Sequence, residues 1–280
     1  MNVPQSLVYG VIQGLTEFIP VSSTAHLILA QNFSSAPPTA HPHTFDTIIQ
    51  IGTVVPVLAY FRKDWVDLAR AAVNVAKNRR VGEDLSERLV QYILLGSVPA
   101  GVAGLLFEKP IERLADPSFP EAKLLIGGAL IGVGALMCFA EATSRRIRAL
   151  EEIQQRDAWL VGVAQALALF PGVSRSGATI TAGLFAGLTR EAAARFSFLL
   201  MTPIMLAATG YKLAKLVLGA EPISPDEWQS MLVAAAAAGV TGYAAIAFLL
   251  GWLRSRSLTA FAVYRFLIGA WAIGLYLTQR

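Results

Sequence analysis

The sequence predicts an all-α membrane protein that crosses the bilayer several times, and three observations support this prediction. Apolar residues make up 55% of the 280 residues and charged residues only 15%, well below the roughly 25% of an ordinary soluble domain. Several apolar stretches approach the about 20 residues that a spanning helix needs. Two further apolar regions are interrupted midway by proline, glycine and serine, as in helices that enter a membrane without crossing it.

Six stretches are long and apolar enough to span a bilayer. The first ten residues lack the basic segment of a secretory signal, so we expect no cleaved signal peptide and a single membrane domain over 1–280. The predicted spans are approximately 44–61, 89–107, 124–140, 192–218, 228–253 and 258–277.

The two interrupted regions, 3–32 and 158–189, predict re-entrant helical hairpins. Their interruptions read EFIPVSST and LFPGVSRS. Each flanking arm has about a dozen residues, or roughly 18–20 Å of helix, which is too short to cross. The alternative is that each region forms one kinked spanning helix, since membrane helices tolerate such kinks.

The basic residues predict the orientation of the chain. With six spans and two hairpins that return to their own side, 15 of the 23 basic residues fall on one side and 6 on the other. By the positive-inside rule the richer side is cytoplasmic, and both termini lie outside. This topology accounts for the net charge of +4, so we expect no nucleic-acid partner.

The two interrupted regions also align with each other at an offset of 152 residues, without gaps. Each is followed by three predicted spans, so the second half is inverted relative to the first. We therefore expect an inverted-topology repeat with halves at approximately 1–141 and 157–280, and a site near the midplane where the broken helices converge. The matched pairs are Gln13 with Gln165, Phe18 with Phe170, Val21 with Val173, Ser22 with Ser174 and Thr24 with Ser176.

The first interruption, QGLTEFIPVSSTAH, carries candidate catalytic groups. A carboxylate at membrane depth costs about 2.5–3.5 kcal/mol, so Glu17 is a functional candidate, and Gln13 shares its helix face. Ser22 and Ser23 follow the break, and His26 lies within reach of Ser23 or of a bound phosphate. The alternatives are that Glu17 is a structural cap and that the serines only cap the next helix.

The second interruption, FPGVSRSGAT, has the composition of an anion site. Gly172 breaks the helix, and Ser174, Arg175 and Ser176 open the next one, with Thr179 one turn further on. Exposed backbone N–H groups, hydroxyls and a permanent cation together suit phosphate. The alternative is an ion pair between Arg175 and the carboxylate of the first interruption.

Other polar residues carry less information. Arg265 is either a third anion contact or a partner of Asp46 or Glu141. Histidine occurs only at positions 26, 41 and 43, and cysteine only at 138, so we expect no zinc cluster and no intrachain disulfide.

Four segments together resemble one known family. QGLTEFIPVSSTAH and FPGVSRSGAT are similar to the two signature blocks of the bacterial undecaprenyl-diphosphatase family, also called the bacitracin-resistance protein family. FDTIIQIGT at 45–53 and YRFLIG at 264–269 are similar to further family segments, and block order and length agree over essentially the whole chain. The resemblance implies hydrolysis of undecaprenyl diphosphate in the inner membrane, at a site facing the periplasm. It also implies lipid-carrier recycling for cell-wall synthesis and resistance to bacitracin.

The resemblance also implies roles for the candidate residues. Ser23 would be the nucleophile, with His26 as acid/base or activating group, and Glu17 and Gln13 would hold a divalent cation, Mg²⁺ or Ca²⁺. Direct attack by water fits the sequence equally well. A lipid transporter or flippase that uses the same midplane site is the alternative function, and a homodimer is a further expectation. The phosphate ligands would be Arg175, Ser22, Gly172, Ser174, Ser176 and Thr179.

Overall fold

The computed structural model describes residues 3–31, 41–116, 119, 121–218 and 223–278. The predicted end of the first interrupted region, residue 32, and the chain ends lie outside these ranges. The described residues form eleven α-helices and no β-strand longer than an isolated bridge. The helices are α1 (Val3–Phe18), α2 (Ser23–Gln31), α3 (Pro42–Tyr60), α4 (Arg62–Asn78), α5 (Leu85–Ala115), α6 (Ala122–Thr143), α7 (Gln155–Leu167), α8 (Arg175–Phe185), α9 (Arg190–Leu218), α10 (Pro225–Leu253) and α11 (Thr259–Thr278).

The long helices confirm a polytopic all-α membrane protein. Five of them are long and apolar enough to cross a membrane, namely α6, α9, α10, α11 and the part of α5 that ends at a kink at Phe107. The helices α3 and α4 pass the same test only as a pair, bent by 81°, which brings the number to six. The segment 62–88, for which no helix was predicted between the spans 44–61 and 89–107, contains α4, which buries Leu68 and Ala71 on one face.

The first interrupted region is a re-entrant hairpin. The helix α1 packs along α10, with Gly10 on Ala234 and Gly14 on Ala238. Because both residue numbers increase together, the two helices run in the same direction. The helix α2 then turns back, since Ala30 packs against a cluster from the first halves of α3 and α10. This hairpin therefore enters and leaves at the end of the molecule where α3 and α10 begin.

The second interrupted region is a hairpin that enters from the opposite end. The helix α7 packs along α5, with Gly162 against Gly96. The chain leaving α8 returns to the segment before α7, where the backbone N–H of Arg148 donates to the carbonyl of Gly187 at 3.0 Å. The kinked spanning helix is therefore the wrong alternative for both regions.

The segments on the predicted basic side lie at one end of the molecule, where polar contacts join them. These contacts join the starts of α4, α5 and α9 and the end of α10 to each other, to the end of α6 or to the linker after α6. The opposite end holds a contact between His41 and Glu227 at 3.0 Å. The contacts at the basic end are Arg195 with Asp64, Arg88 with the carbonyl of Glu151, Arg190 with Glu141 and Arg254 with Glu191.

Helix packing has the symmetry that an inverted repeat requires. The helix α1 packs on α10 as α7 packs on α5, and α3 packs on α10 as α9 packs on α5. Gly10 and Gly162, each at a close approach of the two helices in its pair, are separated by the same offset of 152 residues. The bounds of the two halves, 1–141 and 157–280, stay a prediction.

Glu141 joins three elements at the basic end, so we expect its loss to destabilise the fold. Its buried carboxylate accepts Arg190 Nη2 at 2.6 Å and the backbone N–H of Leu258, at the start of α11, at 2.8 Å. Glu141→Ala should lower the free energy of unfolding by roughly 2–4 kcal/mol, because it leaves a half-buried cation unpaired. Glu191→Ala, which breaks the exposed pair with Arg254, should change it by less than about 1 kcal/mol. Thermal unfolding in detergent measures both changes. Equal melting temperatures of Glu141→Ala and Glu191→Ala would contradict this role of Glu141.

Candidate active site

The two helix breaks meet around the guanidinium group of Arg265. Its side chain is fully buried, and all of its hydrogen bonds go to carbonyl oxygens at 3.0–3.3 Å. One acceptor, Pro20, lies in the first break, whereas Gly172 and Val173 lie in the second. One side chain therefore holds both hairpin tips, and α6 supplies the other acceptors, Ala129 and Leu130.

This environment corrects the expectation for Arg265. Its hydrogen bonds include neither Asp46 nor Glu141, and the latter carboxylate binds Arg190 and Arg146 instead. In the structure Arg265 satisfies backbone acceptors freed by the broken helices. The other alternative, a contact with a bound anion, stays a prediction.

Both breaks end in the same unusual backbone conformation. Ser22 has φ 77° and Ser174 has φ 72°, and these serines are a matched pair in the repeat. Left-handed non-glycine residues cost about 1–3 kcal/mol and are concentrated at functional sites. Each serine directly precedes a helix, so the N–H groups that follow are suited to an anion. The Ser174 hydroxyl caps α8 by accepting from Gly177 N–H at 3.2 Å.

A hydrogen-bonded serine–carboxylate pair lies at the first tip. Ser23 Oγ donates to Glu17 Oε2 at 2.6 Å, and Gln13 Nε2 donates to the same oxygen at 3.1 Å. Gln50 Nε2 approaches the other oxygen, Oε1, at 3.4 Å. Because Glu17 is only 8% exposed and accepts a hydrogen bond from the Ser23 hydroxyl, it is placed to act as the base for Ser23.

His26 lies beside this pair, and its hydrogen bonds do not include Ser23. Its Nδ1 is 2.7 Å from the carbonyl oxygen of Ser22, and its Nε2 is 2.8 Å from the hydroxyl of Tyr264. The expected contact with Ser23 is therefore not the arrangement in the structure. The acid/base role of His26 stays a prediction.

Arg175 is the unpaired cation of the site. Within the described part of the chain its Nη1 is buried without a hydrogen-bond partner, and no carboxylate lies within ion-pair distance of the side chain. The alternative ion pair with Glu17 is therefore absent. An unpaired buried charge is unfavourable, so an anion from outside the chain would complete this environment.

Two of the predicted phosphate ligands use their hydroxyls inside the protein. Ser176 Oγ donates to the carbonyl of Glu17 at 3.3 Å, which ties the second tip directly to the first. Thr179 Oγ1 donates to the carbonyl of Arg175 at 2.6 Å and lies 2.5 Å from Ser197 Oγ, which ties α8 to α9. Both side chains are fully buried, so the geometry assigns them to holding the tip together.

The carboxylate chemistry limits how a metal could be held. Among the described residues there is no group of three or more histidine, cysteine, aspartate or glutamate side chains placed to hold a metal ion. Glu17 and the amides of Gln13 and Gln50 are the nearby ligands. One carboxylate suits Mg²⁺ that is otherwise bound by phosphate oxygens and water.

Two groups at the site were missed by the sequence analysis. Gln50 and Tyr264 lie in the segments FDTIIQIGT and YRFLIG, which were noted only for their resemblance to the family. An amide within an apolar span was an available signal, because polar groups at membrane depth are usually functional.

Comparisons with known proteins show the family of this chain. The family model described as "Bacitracin resistance protein BacA" matches residues 6–271. A protein of Anaeromyxobacter sp. (strain Fw109-5) named undecaprenyl-diphosphatase is 46% identical, over 96% of this chain and 86% of its own. Proteins of the same name from Syntrophobacter fumaroxidans and Chloroherpeton thalassium are 42% and 41% identical, each over 95% or more of both chains. The chain belongs to the bacitracin resistance protein BacA family.

Proposed function

We propose that this chain hydrolyses undecaprenyl diphosphate to undecaprenyl phosphate and inorganic phosphate, and so recycles the lipid carrier and confers bacitracin resistance. One observation carries the proposal. The Ser23–Glu17 pair of the first hairpin lies against the tip of the second hairpin, which presents the unpaired Arg175. The family and the name shared by the relatives support the same activity.

The second tip would bind the diphosphate. Arg175 and the backbone N–H groups at the start of α8 would hold the terminal phosphate, whose charge in the transition state lies on its equatorial oxygens. The polyprenyl tail would remain in the lipid beside the apolar helices. The N-cap hydroxyl of Ser174 and the left-handed turn keep these donors in place before the substrate arrives.

The first tip would carry out the phosphoryl transfer. Ser23 Oγ gives its proton to Glu17 and forms a bond to the terminal phosphorus. The bond from that phosphorus to the bridging oxygen breaks, and the electron pair stays on undecaprenyl phosphate. Glu17 passes the proton to the departing undecaprenyl phosphate and so regains its charge. It then takes a proton from a water molecule, whose oxygen bonds to phosphorus as the bond to Ser23 Oγ breaks, and it returns that proton to Ser23 as phosphate is released. Full activity in Ser23→Ala would instead favour direct attack by water.

A divalent cation, Mg²⁺ or Ca²⁺, is part of the proposal. Glu17 and Gln13 would hold it together with the diphosphate oxygens. When bound, it would offset the charge of the phosphates. Inner-membrane location and a site open to the periplasm are also proposed, because the first hairpin enters from the end opposite the basic side.

Hydrolysis predicts phosphate release in detergent, where no second compartment exists. Purified protein should release phosphate from a polyprenyl diphosphate, and EDTA should lower the rate by about tenfold or more, with recovery in Mg²⁺. A colorimetric phosphate assay measures both. Folded protein that releases no phosphate would exclude the enzyme and favour the lipid transporter, whereas release unaffected by EDTA would exclude only the cation.

A further inference from the structure

We infer that Tyr264 is a positioning residue for this reaction, acting through His26 on the turn that presents Ser23. The kinetic part of this inference rests on the proposed phosphatase activity. The hydrogen-bond network itself can be tested without that activity.

The partners of His26 determine which ring nitrogen carries the proton. A carbonyl oxygen can only accept, so Nδ1, 2.7 Å from the oxygen of Ser22, is the protonated nitrogen. In the neutral ring Nε2 is then an acceptor, and the Tyr264 hydroxyl at 2.8 Å is its donor. The Ser22 carbonyl thereby selects the tautomer of His26, and the hydrogen bond from Tyr264 fixes the orientation of its ring.

The other end of this network is the strained residue before Ser23. Ser22 has φ 77°, and its carbonyl oxygen accepts both Nδ1–H and, at 3.3 Å, the backbone N–H of His26. A left-handed non-glycine residue persists only when its surroundings hold it. The hydrogen bond from His26 therefore stabilises the turn, and the hydrogen bond from Tyr264 fixes the position of the His26 ring. The Ser23 hydroxyl donates to Glu17 instead.

The position of Tyr264 in α11 fits this role. Its ring lies parallel to that of His26, within 2° and with centroids 5.6 Å apart. The next residue, Arg265, binds carbonyl groups of both tips. The helix α11 thus positions both hairpin tips through Arg265. Through the adjacent Tyr264 it also positions His26 and the turn at Ser22.

Tyr264→Phe removes the hydroxyl and keeps the ring, so the fold should be preserved. We expect kcat for phosphate release to fall about three- to tenfold, as for one lost hydrogen bond, with KM unchanged. In a His26→Asn background the same change should have no further effect, because its target is gone. A wild-type kcat in Tyr264→Phe, or a change confined to its KM, would overturn the inference. So would an equal effect of Tyr264→Phe in the wild-type and His26→Asn backgrounds.

Tyr9→Phe is the matched control. Tyr9 lies in α1 of the same hairpin, it is buried, and its hydroxyl has no hydrogen-bond partner among the described residues. Its removal should leave kcat and KM as in the wild type. An equal loss of kcat in Tyr9→Phe would show a general packing effect and overturn the specific role of Tyr264.

Imidazole ¹⁵N spectroscopy tests the network independently of catalysis. The chain has three histidines, and His26→Asn assigns the relevant signal. We expect a neutral Nδ1–H tautomer in the wild type, and a downfield shift of unprotonated Nε2 in Tyr264→Phe as it loses its donor. A protonated Nε2, or identical spectra, would overturn the inference. The expected spectra with no phosphate release would refute only the proposed function.

Discussion

Arg175→Ala is expected to lower kcat for phosphate release by about a thousandfold or more without destabilising the protein. The guanidinium would stabilise charge on the transferring phosphoryl group, and single cationic groups in such sites contribute roughly 10³–10⁵ in rate. In the described residues Nη1 of this half-buried side chain is enclosed without a hydrogen-bond partner, so removal of the side chain relieves an unfavourable environment. Phosphate release and thermal unfolding, measured on the same preparation, check both parts.

Two companion variants sharpen this prediction. Arg70→Ala removes an arginine whose side chain is 76% exposed, and should leave both rate and stability unchanged. Arg175→Lys keeps a charge but loses the planar set of donors, so its rate should fall between those of the wild type and the alanine variant. A marked loss of stability in Arg175→Ala would mean that the arginine holds the fold.

Glu17→Gln is expected to lower kcat by about 10²–10⁴-fold, the usual range for a general base. The amide can still contact Ser23 and Gln13 but cannot take the serine proton. Because base and nucleophile act as a unit, Ser23→Ala should show a similar loss, and the double variant should be no slower than the slower single variant. Steady-state phosphate release from the three variants measures this.

Two results would revise the assignment. Wild-type activity in Glu17→Gln would place the base elsewhere, with His26 as the next candidate. Losses that multiply in the double variant would mean that Glu17 and Ser23 act in separate steps, contrary to their hydrogen bond at 2.6 Å.

Much of the fold could be predicted because a broken apolar segment has few physical solutions. Short arms that cannot cross must return, and the positions of the basic residues then decide from which side. The helix α4 was missed because its arginines and lysines were interpreted only as topology signals. Its buried face, with Leu68 and Ala71, is narrow and follows a 3.6-residue period within a charged segment.

The site was predictable where the chemistry lies within one segment. Gln13, Glu17 and Ser23 lie within eleven residues of each other, and the shared helix face of Gln13 and Glu17 was predicted. The hydrogen bond from Ser23 to Glu17 was not predicted, because it forms across the helix break. The role of Arg265 depends on backbone carbonyls from three separate segments, and carbonyl groups leave no mark on the sequence. The contact of His26 with Tyr264 joins residues 238 positions apart, so only the tertiary fold could reveal it.

The most direct test compares phosphate release from undecaprenyl diphosphate by purified wild type, Glu17→Gln and Arg175→Ala in one detergent. The two residues belong to different hairpins, so the comparison asks whether both tips form one catalytic site. We expect release by the wild type and loss in each folded variant. Rapid release by either variant, or none by a folded wild type, would contradict it.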